Sequence, residues 1–79
     1  MKARVTVMLK SGVLDVQGAA VRHALGSLGF AGVNGVRQGK VIDLDLAETD
    51  AVVARARVTE MCDKLLANAV IESYRIDLD

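Results

Sequence analysis

Three stretches of this chain alternate between two kinds of side chain residue by residue, and that alternation leaves few architectures open. In the first, Ala3, Val5, Val7 and Leu9 fall on one side and Arg4, Thr6, Met8 and Lys10 on the other. In the second, Ile42, Leu44 and Leu46 oppose Val41, Asp43 and Asp45, and in the third Tyr74, Ile76 and Leu78 oppose Ser73, Arg75, Asp77 and Asp79. A period of two with one dry face is the mark of a half-buried strand.

Helical periodicity fills the intervals. Asp15 can act as an N-cap, its carboxylate accepting from the orphan N–H groups of a first turn. Val21, Ala24, Leu25 and Leu28 then recur at helical spacing, and Gly29 is suited to close the helix. Gly26 inside it costs about 0.5–1 kcal/mol relative to Ala. A second, longer helix is predicted over 50–67, opened by the polar run Ala47-Glu48-Thr49-Asp50. Ala51, Ala54, Val58, Met61, Cys62 and Leu65 line its apolar side, and Asn68, which tolerates the left-handed conformation, can end it.

Between the first helix and the second alternating stretch, Val33 and Val36 precede Arg37-Gln38-Gly39-Lys40. Gln38-Gly39 reads as a tight hairpin turn that would set Val33 opposite Leu44 and Gly35 opposite Ile42. One long strand bent at Gly39 is the other reading of this region.

The element order is then β-α-β-β-α-β. Strands with one dry face and helices with one apolar stripe are satisfied together by an α+β two-layer sandwich, with both helices on one face of an antiparallel sheet. Residues 1–79 are expected to form a single domain. A chain this short buries only about 60–65% of the surface exposed on unfolding, so its core is marginal. The single cysteine excludes an internal disulfide, and Cys62 and His23 alone do not make a metal site. Self-association is the remaining source of stability, and edge strands without proline invite it.

Ten basic and ten acidic residues cancel, and Phe30 and Tyr74 are the only aromatics. A nucleic-acid binder needs a basic face and stacking surfaces, and neither is present. No apolar signal core or membrane-length apolar run occurs, so a cytoplasmic location is expected.

No catalytic constellation emerges. Cys62 lies on the apolar stripe of its helix and reads as a small core residue, while His23 lies beside the stripe of the other helix. Gly32, Gly35 and Gly39 do not open a helix after a strand and form no phosphate cradle. Asp43 and Asp45 sit on a wet strand face with nothing apolar to separate their pKa values. Two polar turns remain, Asp15-Val16-Gln17-Gly18 and Arg37-Gln38-Gly39-Lys40, which on their own read as a capped helix start and a soluble hairpin tip.

Several of these segments carry a resemblance. Thr6-Val7-Met8-Leu9-Lys10, Val13-Leu14-Asp15-Val16-Gln17-Gly18, Ala20-Val21 and Ala24-Leu25 resemble the opening of PurS subunits of phosphoribosylformylglycinamidine (FGAM) synthase. So do Val36-Arg37-Gln38-Gly39-Lys40, then Glu60-Met61-Cys62-Asp63-Lys64-Leu65-Leu66-Ala67-Asn68, then Val70-Ile71-Glu72 and Tyr74-Arg75. No single motif is specific, but the ordered set spans almost the whole chain. One departure is Val16, where the family commonly has proline. Its loss from a first helical turn costs about 0.4–1 kcal/mol through the unfolded state.

The resemblance implies a non-catalytic subunit that docks a glutaminase (PurQ-type) to an ATP-dependent synthetase (PurL-type) in purine biosynthesis. That complex converts formylglycinamide ribonucleotide, ATP and glutamine to formylglycinamidine ribonucleotide, ADP, phosphate and glutamate, and the small subunit supports passage of ammonia. It implies no cofactor and no metal on this chain, ATP and magnesium on the synthetase, and a homodimer or a pair of dimers. Asp15, Gln17, Gly18, Arg37, Gly39 and Lys40 match the family pattern without an evident core role, and are the expected docking residues. The alternative function is an ACT-like dimeric amino-acid sensor, which shares the expected element order and would use Ser11-Gly12 in a ligand loop.

Overall fold

A computed structural model describes residues 1–79. Strand β1 (Lys2–Leu9) is followed by helix α1 (Val16–Ser27), strand β2 (Gly39–Asp45), helix α2 (Ala51–Met61) with a π-helical turn (Cys62–Leu66), and strand β3 (Glu72–Leu78). The three strands form one antiparallel sheet in the order β2-β1-β3.

The alternation fixes the register. Ala3 stands between Leu44 and Leu78, Val5 between Ile42 and Ile76, and Val7 between Lys40 and Tyr74. Opposed residues of an antiparallel pair share a face, so these form the inner side of the sheet. On it lie α2, which contributes Ala54 and Val58, and the π turn, which contributes Cys62, to a core with Ala3, Val5 and Val7. Ile42, Leu44, Leu66, Ile76 and Leu78 pack around that core half-buried. The central strand is the best buried because it alone has neighbours on both edges.

The outer face carries the charges. Arg4 donates from Nε to Asp43 Oδ1 at 2.8 Å and from Nη2 to Asp43 Oδ2 at 3.2 Å. Arg75 pairs with Asp77 at 3.1 Å. Asp43 and Arg4 hold each other ionised: the carboxyl is pushed below its ordinary value and the guanidinium above its own, chiefly by their shared hydrogen bond.

Local chemistry explains the helix ends. Asp50 Oδ1 accepts from the N–H groups of Val52 (2.8 Å) and Val53 (3.2 Å), which is the N-cap expected from the polar run. At the end of α1, Gly29 takes a φ of 93°, the Phe30 N–H reaches the Leu25 carbonyl, and the Gly29 N–H reaches that of Gly26. This is a Schellman closure. The second helix closes differently from expectation. Asn68 does not adopt the left-handed conformation; the Ala67 N–H instead reaches back five residues to the Cys62 carbonyl at 3.0 Å. Asn68 forms the next turn by accepting from the Val70 N–H through its side chain at 3.0 Å.

The α+β class, the antiparallel sheet and the two helices are as expected. Two finer expectations are corrected. Residues 32–38 form no strand, so the hairpin placing Val33 opposite Leu44 is absent; Leu44 pairs with Ala3, and the far edge of β2 is open. The glycine-rich segment is held by side chains instead of a ladder, with the Arg22 Nε donating to the Val33 carbonyl at 3.1 Å. Secondly, only α2 covers the sheet. Helix α1 projects from it without extensive contact, and the Cα radius of gyration is 15.9 Å against roughly 11–12 Å for a compact chain of this length. Leu28 (73% exposed) and Phe30 (59%) are consequently uncovered. An apolar stripe dictates that a face seeks cover, not that its own chain supplies it. No helix is long and apolar enough to cross a membrane.

Candidate docking surface

The two polar turns singled out in the sequence meet at the Leu9 end of the sheet, and Asp15 joins them. Its Oδ1 accepts from the Gly18 N–H at 2.8 Å, capping α1, and its Oδ2 accepts from the Gln38 N–H at 2.7 Å, across 23 residues of chain. Both N–H donors favour the charged form, so the Asp15 carboxyl lies below its ordinary value, with the Gln38 bond the largest cause, the Gly18 bond next, and Arg37 adding a smaller attraction.

Two glycines make this approach possible. Gly18 is buried, and a Cβ there would collide with the Val36 carbonyl oxygen and crowd the Asp15 carboxylate. A Cβ on Gly39 would collide with Met8 Sδ and the Val7 carbonyl oxygen. Arg37 adds a further stitch by donating from Nη2 to the Leu9 carbonyl oxygen.

The six expected docking residues therefore lie in one neighbourhood but do different things. Asp15, Gly18 and Gly39 hold the turns together. Gln17, Arg37 and Lys40 are exposed. Lys40 lies opposite Val7 on the inner face of the sheet, and none of the three ion pairs includes Lys40 or Arg37. The signal for an Asp15 N-cap was legible; its bond to Gln38 is tertiary, and no spacing rule announces it.

The remaining candidates for chemistry are placed as packing and surface residues. Cys62 is fully buried, and burial, with a smaller contribution from Asp63, pushes its thiol above the ordinary value. A thiol so placed is not a nucleophile. His23 is exposed on α1. A pair that sequence reasoning missed is Tyr74 and Asp63: the hydroxyl donates to Asp63 Oδ1 at 3.0 Å, tying β3 to the π turn.

A three-stranded α+β sheet, one packed helix, one projecting helix and polar groups spent on fastening turns define a small protein built for contact with other chains. The family model for PurS, described as phosphoribosylformylglycinamidine (FGAM) synthase, matches residues 2–79, and the chain belongs to that family. It is 47% identical over 78 residues to the FGAM synthase subunit PurS of Bacillus subtilis, covering 99% of this chain and 92% of that one. The fold superposes on the crystal structure of Methanocaldococcus jannaschii PurS with a TM-score of 0.90 at 42% identity, covering 99% and 94% of the two chains. It also superposes on a chain of the PurLQS structure from Thermotoga maritima with a TM-score of 0.87 at 29% identity, covering 96% and 93%.

Proposed function

We propose that this chain is the small, non-catalytic subunit of an FGAM synthase in purine biosynthesis. It docks a glutaminase (PurQ-type) subunit to an ATP-dependent synthetase (PurL-type) subunit and supports the transfer of ammonia between them. The observation that carries this reading is the near full-length likeness to a chain of the Thermotoga maritima PurLQS structure. The disposition of this chain's own groups supports it: the one thiol is locked in the core, and the available polar side chains sit at the surface on turns.

In this reading the chain binds no cofactor, and ATP and magnesium act on the synthetase. It works in the cytoplasm, as an enzyme of soluble nucleotide metabolism would. It is a homodimer, or a dimer of dimers, because α1 leaves Val21, Leu28 and Phe30 uncovered and a core built on one helix and three strands is small. The ACT-like sensor draws no support from relatives: the Bacillus subtilis, Synechocystis and Methanocaldococcus jannaschii proteins that this chain resembles are all PurS subunits. The test is synthesis of the amidine from glutamine, and separately from ammonium, with and without this chain.

A further inference from the structure

We propose that α1 and the segment returning from it form a basic arm that docks on the β2 side of the sheet of a second copy of this chain, so that two copies pair antiparallel and each gives its arm to the other. This rests on the self-association in the reading above and adds which surfaces meet and by what chemistry.

The chain is divided in charge. From Val16 through Ile42 it has no Asp or Glu, while Arg22, Arg37 and Lys40 supply three positive charges. The remaining residues hold seven basic and ten acidic side chains, a net of three negative charges. The two parts also lie apart. The acid-free stretch is rooted at the Leu9 end of the sheet, where the Gln38 N–H meets Asp15. At the other end Asp43, Asp45, Asp77 and Asp79 surround Lys2 and Arg4, which leaves carboxylates in excess.

The arm is one piece. Helix α1 runs out for about 18 Å at 1.5 Å per residue, and residues 28–38 return beside it. Arg22 Nε donates to the Val33 carbonyl at 3.1 Å, and Gly18 lies against the Val36 carbonyl oxygen. Leu28 and Phe30, where the chain turns back, are exposed.

The sheet offers a surface to match. The covering helix leans toward β3: Arg55 donates to the Ile76 carbonyl at 3.3 Å, and Tyr74 donates to Asp63 at 3.0 Å. On the β2 side Ile42 and Leu44 are only half-buried, the far edge is open, and Asp43 and Asp45 stand along it. Arg4 engages Asp43, whereas Asp45, opposite Lys2, enters no ion pair. An arm laid along this strand covers Ile42 and Leu44 of the second copy with Leu28 and Phe30, and brings its cations to the acidic edge. One chain therefore carries both halves of the match. Antiparallel pairing joins unlike ends twice and closes on itself; parallel pairing sets arm beside arm and carboxylate beside carboxylate, which is repulsive.

The test is sedimentation of the whole chain at low and high salt, with circular dichroism confirming that each variant folds. The parent is expected to associate more tightly at low salt. His23→Glu combined with Lys40→Glu cancels the net charge of the arm, and Asp45→Lys reverses the acidic edge; all three positions are exposed. Each of these two variants is expected to self-associate roughly tenfold more weakly or worse. An equimolar mixture of the two should regain association, since the reversed arm of one meets the reversed edge of the other. Lys64→Glu, on the π turn away from both surfaces, is the control and should associate as the parent does. Association that ignores salt, variants that pair like the parent, a mixture that regains nothing, or a control that weakens equally would each overturn the arm exchange. A parent that stays monomeric removes this inference together with the self-association, while the subunit role stands or falls separately on glutamine-dependent amidine synthesis.

Discussion

Asp15 and Gln38 are 23 residues apart in the chain, and a 2.7 Å hydrogen bond from the Gln38 N–H to Asp15 Oδ2 makes them neighbours. Through it the start of α1 and the start of β2 become one piece of surface. A carboxylate that also caps its own helix at Gly18 can do this only because both its oxygens are accepting. Consequences for stability, acid response, thiol chemistry and self-association follow.

Two glycines of α1 are expected to respond oppositely to alanine. Gly26 faces open space, and Gly26→Ala should stabilise by about 0.5–1 kcal/mol, the usual gain from removing glycine within a helix. Gly18→Ala gains the same propensity but drives a methyl into the Val36 carbonyl oxygen, a backbone atom that cannot swing away. Overpacking costs of about 1–3 kcal/mol exceed the propensity gain, so the net effect is destabilising. Urea midpoints with an unchanged slope check both signs.

Asp15 is expected to contribute to the acid response. Its carboxyl lies below the ordinary value in the folded chain, so the unfolded chain binds the proton more readily. The resulting stability is fully present above the unfolded carboxylate range, about pH 4, and is lost as pH falls through the lower folded value. The stability gap between the parent and Asp15→Asn should therefore be widest near neutral pH and narrow below about pH 4. Asp43, held below its ordinary value by Arg4, contributes in the same direction and is unaffected by that substitution. Denaturant titrations across this pH range measure the gap.

Cys62 is expected to resist alkylation. Its thiol is buried and raised above the ordinary value, and the thiolate is the reactive form. Iodoacetamide should leave the native chain unmodified under conditions that label it promptly in denaturant, as read by intact mass. Cys62→Ala should leave glutamine-dependent synthesis unchanged apart from a loss of stability of the core.

The uncovered end of α1 is expected to drive self-association. Leu28→Asp combined with Phe30→Asp removes two exposed apolar side chains without touching the sheet. Sedimentation should show the parent as a dimer or a larger even assembly and the double variant shifted toward monomer, with the circular dichroism of both retained.

Elements with strong local signals were legible in the sequence. The period-two pattern of Ala3, Val5, Val7 and Leu9 gave the central strand its faces, and Asp15, Asp50 and Gly29 marked helix ends that the structure places within a residue or two. Val33 and Val36 misled because apolar residues beside Gln38-Gly39 imitate a hairpin arm, whereas the glycines at 32 and 35, the bond from Arg22 to the Val33 carbonyl and the bond from the Gln38 N–H to Asp15 hold that stretch out of the sheet. The projection of α1 was illegible for a different reason: a stripe of Val21, Ala24, Leu25 and Leu28 reads identically whether its own sheet or another chain covers it. At the candidate surface the residue types were found, but the division between fasteners (Asp15, Gly18, Gly39) and available contacts (Gln17, Arg37, Lys40) needed the tertiary bonds.

The most direct measurement is amidine formation by the matching glutaminase and synthetase subunits, assayed with and without this chain, once with glutamine and once with ammonium as nitrogen source. The account predicts that omission abolishes the glutamine-dependent rate and leaves the ammonium-dependent rate in place. Equal rates with and without the chain, from glutamine as well as from ammonium, would contradict it.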